Sequence, residues 1–127
     1  MIKPQPLGAR GSPPAYAGIG AHERRLAGQL LSGLKELRRV HVWGITDPKR
    51  LAERVPTVGI THEDLKSAEL ADRLGAEGIF AWHGNFYALE LSRTLGLEPS
   101  GMLRIGLLHY NTAEEVERLL GCLRRWD

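Results

Sequence analysis

Met102 to Leu108 is an almost unbroken apolar run with Arg104 as its exception, bounded by Pro99-Ser100-Gly101 on one side and Asn111-Thr112 on the other. A run this short between turn signals predicts a buried strand. After it, Val116, Leu119, Leu120 and Leu123 recur at helical spacing while Glu114, Glu117, Arg118 and Arg124 fall off the stripe. One face of that helix therefore turns inward and the other stays in water. Thr112 and Glu115 form a capping box at its start: the hydroxyl takes a first-turn amide, and the carboxylate reaches back to the cap's own N–H.

Upstream, Ile19, Leu26, Leu30, Leu34 and Leu37, with Ala27 and Leu31 beside them, predict a helix from about Gly18 to Leu37. Gly28 and Gly33 each weaken it by about 1 kcal/mol relative to alanine. Arg39 to Trp43 alternates at period two and predicts a strand ended by Gly44; Asp47-Pro48 opens a short helix over Lys49 to Glu53. Val55 to Ile60 predicts a second strand, with Pro56 at its start or on an edge because it has no N–H to donate. Thr61 to Asp64 has capping character before Leu65, Ala68, Leu70, Ala71 and Leu74, a helix stopped by Gly75. Gly78 to Trp82 predicts a short strand, and Phe86 to Leu95 a short helix with Tyr87, Leu91 and Leu95 at four-residue spacing. Helices and strands alternate without an internal repeat, so the expected class is α+β: a three- to four-stranded, mostly antiparallel sheet with helices packed on it. Residues 1–16 hold Pro4, Pro6, Gly8, Gly11, Pro13 and Pro14 among few large apolar groups and read as a disordered or extended leader. Residues 17–127 are then one domain.

Composition narrows the function classes. The 127 residues are 43% hydrophobic and 25% charged, ordinary for a globular domain. Such a chain can remove roughly two-thirds of its unfolded surface from water. No apolar run reaches membrane-spanning length, and the first residues contain no apolar h-region of a secretory signal. A single cysteine, Cys122, excludes an internal disulfide and fits a reducing compartment, so a cytoplasmic location is expected. The net charge of +2, from 17 basic and 15 acidic residues, is too balanced for a nucleic-acid surface. Lys35, Arg38 and Arg39 close one helix and Arg124 and Arg125 another, where cations complement the negative helix end. Neither nucleic acid nor membrane is an expected partner.

Arg104 is the sharpest single residue. An arginine alternating with apolar neighbours on a strand must be neutralised, either by one of the chain's own carboxylates or by one that it binds, gripped through two parallel hydrogen bonds. Trp82-His83-Gly84-Asn85-Phe86-Tyr87-Ala88 is the second candidate, a strand-to-helix loop dense in polar and aromatic groups. His83 is a candidate proton shuttle or merely a hydrogen-bonded loop histidine. His22, His41, His62, His83 and His109 include no pair at three- or four-residue spacing, so no metal ligands are assigned. Cys122 lies on the last helix, where a thiol is core filler.

The stretch Arg104-Ile-Gly-Leu-Leu-His-Tyr-Asn-Thr-Ala-Glu-Glu-Val116 resembles the closing segment of class V aminotransferases, the pyridoxal-phosphate enzymes that include cysteine desulfurases. Arg54-Val55-Pro56-Thr57-Val58 resembles the Arg-x-Pro-Thr-Val strand of the same family. The resemblance runs from about Ala17 to Trp126 and covers only the small C-terminal domain. It implies that Arg104 grips the α-carboxylate of an amino-acid substrate, with Trp82, His83, Asn85 and Tyr87 beside it. In cysteine desulfurases the matching loop supplies a nucleophilic cysteine; here Tyr87 stands at that position, which speaks against persulfide chemistry by the usual route.

Family members hold pyridoxal phosphate as a Schiff base on a lysine and seat its phosphate on helix N-terminal amides. None of Lys3, Lys35, Lys49 and Lys66 resembles that lysine, and no glycine-rich phosphate loop is present. The expectation is a substrate-binding domain with no catalytic or cofactor-binding residue of its own and no cofactor bound when alone. Its partner is then the missing large domain or a second copy in a homo-oligomer. The alternative is a stand-alone, non-catalytic remnant or protein-interaction module. A hydrolase using His83 or His109 is the weakest reading, since no serine or carboxylate stands at motif spacing.

Overall fold

A computed structural model describes residues 13–127. In order, the elements are α1 (Pro13–Lys35), β1 (Val40–Trp43), a 3-10 helix (Pro48–Glu53), β2 (Thr57–His62), α2 (Ser67–Ala76), β3 (Trp82–Gly84), α3 (Leu89–Thr94), β4 (Met102–Gly106) and α4 (Ala113–Arg124). The four strands form one antiparallel sheet in the order β1-β2-β4-β3, which is the α+β class expected. Among the described residues no helix is long and apolar enough to cross a membrane.

One face of the sheet is the core. Val58, Ile60, Leu103 and Ile105 are buried there with Leu26, Leu30, Leu34 and Leu37 of the α1 region, Leu70 and Leu74 of α2, and Val116, Leu119, Leu120 and Leu123 of α4. Each such leucine contributes about 2 kcal/mol on burial, which outweighs the helix penalties of Gly28 and Gly33. Gly33 is itself useful: a Cβ there would lie 2.3 Å from Leu120, so its absence lets α1 and α4 approach. Cys122 is 2% exposed and is core, as read from the sequence.

Several boundaries move, each for a local reason. The first helix begins at Pro13, within the stretch read as a leader; residues 1–12 of that leader lie outside the described residues. Strand β2 starts after Pro56, whose carbonyl accepts from Leu107 N (2.9 Å). Thr61 and His62, expected to cap α2, extend β2 instead, with His62 opposite Val40. His62 Nδ1 still takes the amides of Asp64 and Leu65 (3.1 and 3.3 Å) and turns the chain toward α2, while Nε2 donates to the Trp126 carbonyl (3.1 Å). Gly75 does not stop α2. The exit is a Schellman motif at Gly78 (φ 74°), with Gly78 N bonded to Gly75 O and Ile79 N to Leu74 O (both 2.9 Å). Gly78 and Ile79 are thereby consumed, and β3 begins at Trp82 rather than at Gly78. Phe86 and Tyr87 have φ of 54° and 63° and cannot open a helix, so α3 is confined to Leu89–Thr94.

Two clamps fix the sheet beneath the open face. The Arg54 guanidinium donates to the carbonyls of Ile45, Val55 (3.4 Å) and Thr57 (2.7 Å), joining the β1 exit to the β2 entry. Burial pushes its pKa below the usual arginine value. Gly101 (φ 65°) meets the backbone of Gly84, where a Cβ would come within 2.3 Å, so the end of β3 and the loop after it lie directly against the start of β4.

Candidate functional site

Side chains alternate along a strand, so the sheet's second face carries the intervening residues. Trp43, Gly59, Arg104 and Trp82 are consecutive cross-strand partners and form one row across all four strands. No helix among the described residues covers them. Arg104 is exposed, and no carboxylate among the described residues lies within ion-pairing distance of its guanidinium. Instead its Cζ sits 4.3 Å from the centroid of the Phe86 ring. The internal ion pair that residue type alone allowed is not formed.

Beside Arg104, Trp82 is 71% exposed. At the far end of the row, Trp43 donates from Nε1 to Thr61 Oγ1 (3.0 Å), and the His41 ring meets it edge-on at 4.5 Å. Met102 packs over Gly59, its Sδ within 2.4 Å of where a Cβ would stand.

The loop after β3 is organised by Asn85. Its Oδ1 accepts from Tyr87 N (3.1 Å), its carbonyl accepts from Ala88 N (2.8 Å), and its Nδ2 donates to Glu98 Oε1 (3.3 Å). Asn85 therefore shapes the turn. Tyr87 projects fully into solvent at its crest. His83 pairs with Leu103 and so alternates to the helix side of this edge strand, away from Arg104 and Trp82. Of the residues singled out in the sequence, Arg104 and Trp82 share the row, Asn85 and Tyr87 belong to the adjoining loop, and His83 stands apart.

Phe86 lies in the candidate loop read from the sequence but is assigned no role of its own there. An asparagine before two aromatics in a strand-to-helix loop is an Asx-turn signal, but only the β3–β4 register connects that loop to Arg104. Lys35 and Lys66 belong to the helix layer and Lys49 to the 3-10 turn packed on α1. No lysine among the described residues shares the Arg104 row. His83 and His109 are both exposed, and no serine or carboxylate among the described residues hydrogen-bonds either of them. No group of three or more His, Cys, Asp or Glu able to hold a metal is found among the described residues.

The family profile for class-V aminotransferases matches residues 15–119, most of the chain. The chain belongs to that family. An aminotransferase-like protein of Gibberella zeae is 36% identical over 109 residues, 83% of this chain and 26% of that protein. A probable cysteine desulfurase of Pseudomonas putida is 29% identical over 140 residues, 96% of this chain and 33% of that one. Among solved structures, a cysteine desulfurase from Thermococcus onnurineus superposes with a TM-score of 0.78 at 28% identity, covering 87% of this chain and 26% of that one. The chain thus spans a quarter to a third of the length of these class-V relatives. Full-length members of the family depend on pyridoxal phosphate.

Proposed function

We propose that this chain is the substrate-carboxylate-binding portion of a pyridoxal-phosphate-dependent, cysteine-desulfurase-like class-V enzyme, and that the lysine holding the cofactor comes from outside these 127 residues. The observation that carries the reading is Arg104: an exposed guanidinium that has no carboxylate partner among the described residues, on a sheet face that no described helix covers, flanked by aromatic rings. Such a fork is matched to a carboxylate through two parallel N–H donors. The cofactor, when bound, supplies the electron sink. The residues of this chain bind and orient the acid end of the substrate. Tyr87 at the crest of the loop has no thiol to offer, which argues for a reaction other than persulfide formation.

The test has two arms. Titrating the chain with L-alanine should shift the Arg104 Nε–H signal saturably, L-alaninamide should not, and Arg104→Gln should abolish the response. Incubation with pyridoxal phosphate followed by borohydride should leave no stable pyridoxyl adduct at a unique lysine. A carboxylate response centred elsewhere would refute the assignment of Arg104, and a stoichiometric adduct would refute the claim that the lysine lies outside.

A second reading, a non-catalytic interaction module, is favoured by one feature: Phe80, Trp82 and Tyr87 are 91%, 71% and fully exposed within a single short stretch. Exposed aromatic clusters of this kind mark association surfaces.

A further inference from the structure

A carboxylate-binding arginine on an open face has a difficulty of its own. Its long side chain is free to sample many rotamers, and gripping a ligand removes that freedom at an entropic cost. The structure contains a device that removes part of it beforehand. The Phe86 ring lies against the Arg104 guanidinium at 4.3 Å, inside the range at which a ring face attracts a cation.

Phe86 does not reach that place by default. Its φ of 54° is a left-handed conformation that bulky residues avoid. It is sustained by Asn85, which binds Tyr87 N, Ala88 N and Glu98 from one side chain and one carbonyl, and by the close approach of Gly101 to Gly84. Arg104 is fixed independently, on an interior strand bonded on both sides. Two separately anchored elements thus bring ring and guanidinium together.

We propose that Phe86 is a positioning residue for Arg104. It holds one face of the guanidinium flat, so that the edge N–H groups stay presented to a carboxylate. The inference rests on the carboxylate-binding reading above and extends it to a residue that touches no substrate.

Three forms of the chain test it by NMR: wild type, Phe86→Leu and Phe86→Trp, each titrated with L-alanine. The Arg104 Nε–H signal, identified by its loss in Arg104→Lys, should carry a ring-current displacement in wild type and Phe86→Trp that Phe86→Leu lacks. The apparent dissociation constant for L-alanine should rise about threefold in Phe86→Leu, in keeping with an exposed cation–π contact, and return to the wild-type value in Phe86→Trp. Amide spectra of β4 that overlay across all forms exclude a general loss of folding. If wild type and Phe86→Leu bind L-alanine equally, the role of Phe86 is overturned and the carboxylate reading stands. If the wild-type Arg104 signal ignores L-alanine, both fall.

Discussion

Glu115 shows how much one side chain can settle. Its Oε2 accepts from Thr112 N (2.9 Å) and Asn111 Nδ2 (3.1 Å), while Thr112 Oγ1 accepts from Glu115 N (3.2 Å), so the capping box is complete. The Asn111 amide, then the Thr112 N–H, and more weakly the Arg118 charge hold its carboxyl below the usual glutamate value of 4.5. A folded-state pKa below the unfolded one means the carboxylate stabilises the fold fully above that usual value. The contribution is lost as pH falls through the lowered value. Urea midpoints measured from pH 7 to pH 3 should therefore show wild type more stable than Glu115→Gln at neutral pH, the gap closing in acid. Parallel curves would show that the carboxylate's charge is irrelevant. The motif was legible because donor and acceptor are three residues apart. The Phe86–Arg104 contact joins positions eighteen apart in sequence through a strand pairing that no local spacing encodes.

At the level of elements, periodicity and turn signals gave the order of helices and strands; most errors sit at their ends, and β3, read as Gly78 to Trp82, shares only Trp82 with the observed strand. Thr61 and His62 look like a cap in isolation, yet β1 offers them a ladder. Gly75 looks like a stop, yet Gly78 is the residue that takes the left-handed turn. In both cases a tertiary partner or a second candidate nearby decided the outcome, as expected where local preferences are nearly balanced. Gly101 combines positive φ with backbone contact to Gly84, so a side chain is excluded twice over. Gly101→Ala should lower stability by about 2–4 kcal/mol. It should also disperse the amide signals of Asn85 to Ala88, because the loop rests on this contact. An unfolding midpoint within error of wild type would mean that β3 is not seated on β4 as described.

For the whole molecule, the helices among the described residues cover one side of the sheet and leave the other open. That uncovered side carries Arg104 and Trp82, with Phe80 and Tyr87 on the segments flanking β3. If it is an association surface, the weight-average mass in sedimentation should rise with concentration, and Trp82→Ser should suppress the rise. A mass constant into the millimolar range would leave the interaction-module reading without its supporting observation. Fold class was readable because short strand-like runs and amphipathic helices alternate along the chain without an internal repeat. The open side was not, because an exposed face and a face awaiting a partner have the same polar-aromatic mixture along the chain.

Strand order has one further consequence. Arg104 stands on an inner strand locked from two directions, whereas Trp82 and the Asn85 turn hang from an outermost strand of three residues. Tyr87 at the crest of that turn is fully exposed, so its exchange for another side chain leaves the strand pairing that places Arg104 undisturbed. The architecture thus lets the rim of the sheet change while the guanidinium on the inner strand is held where it is.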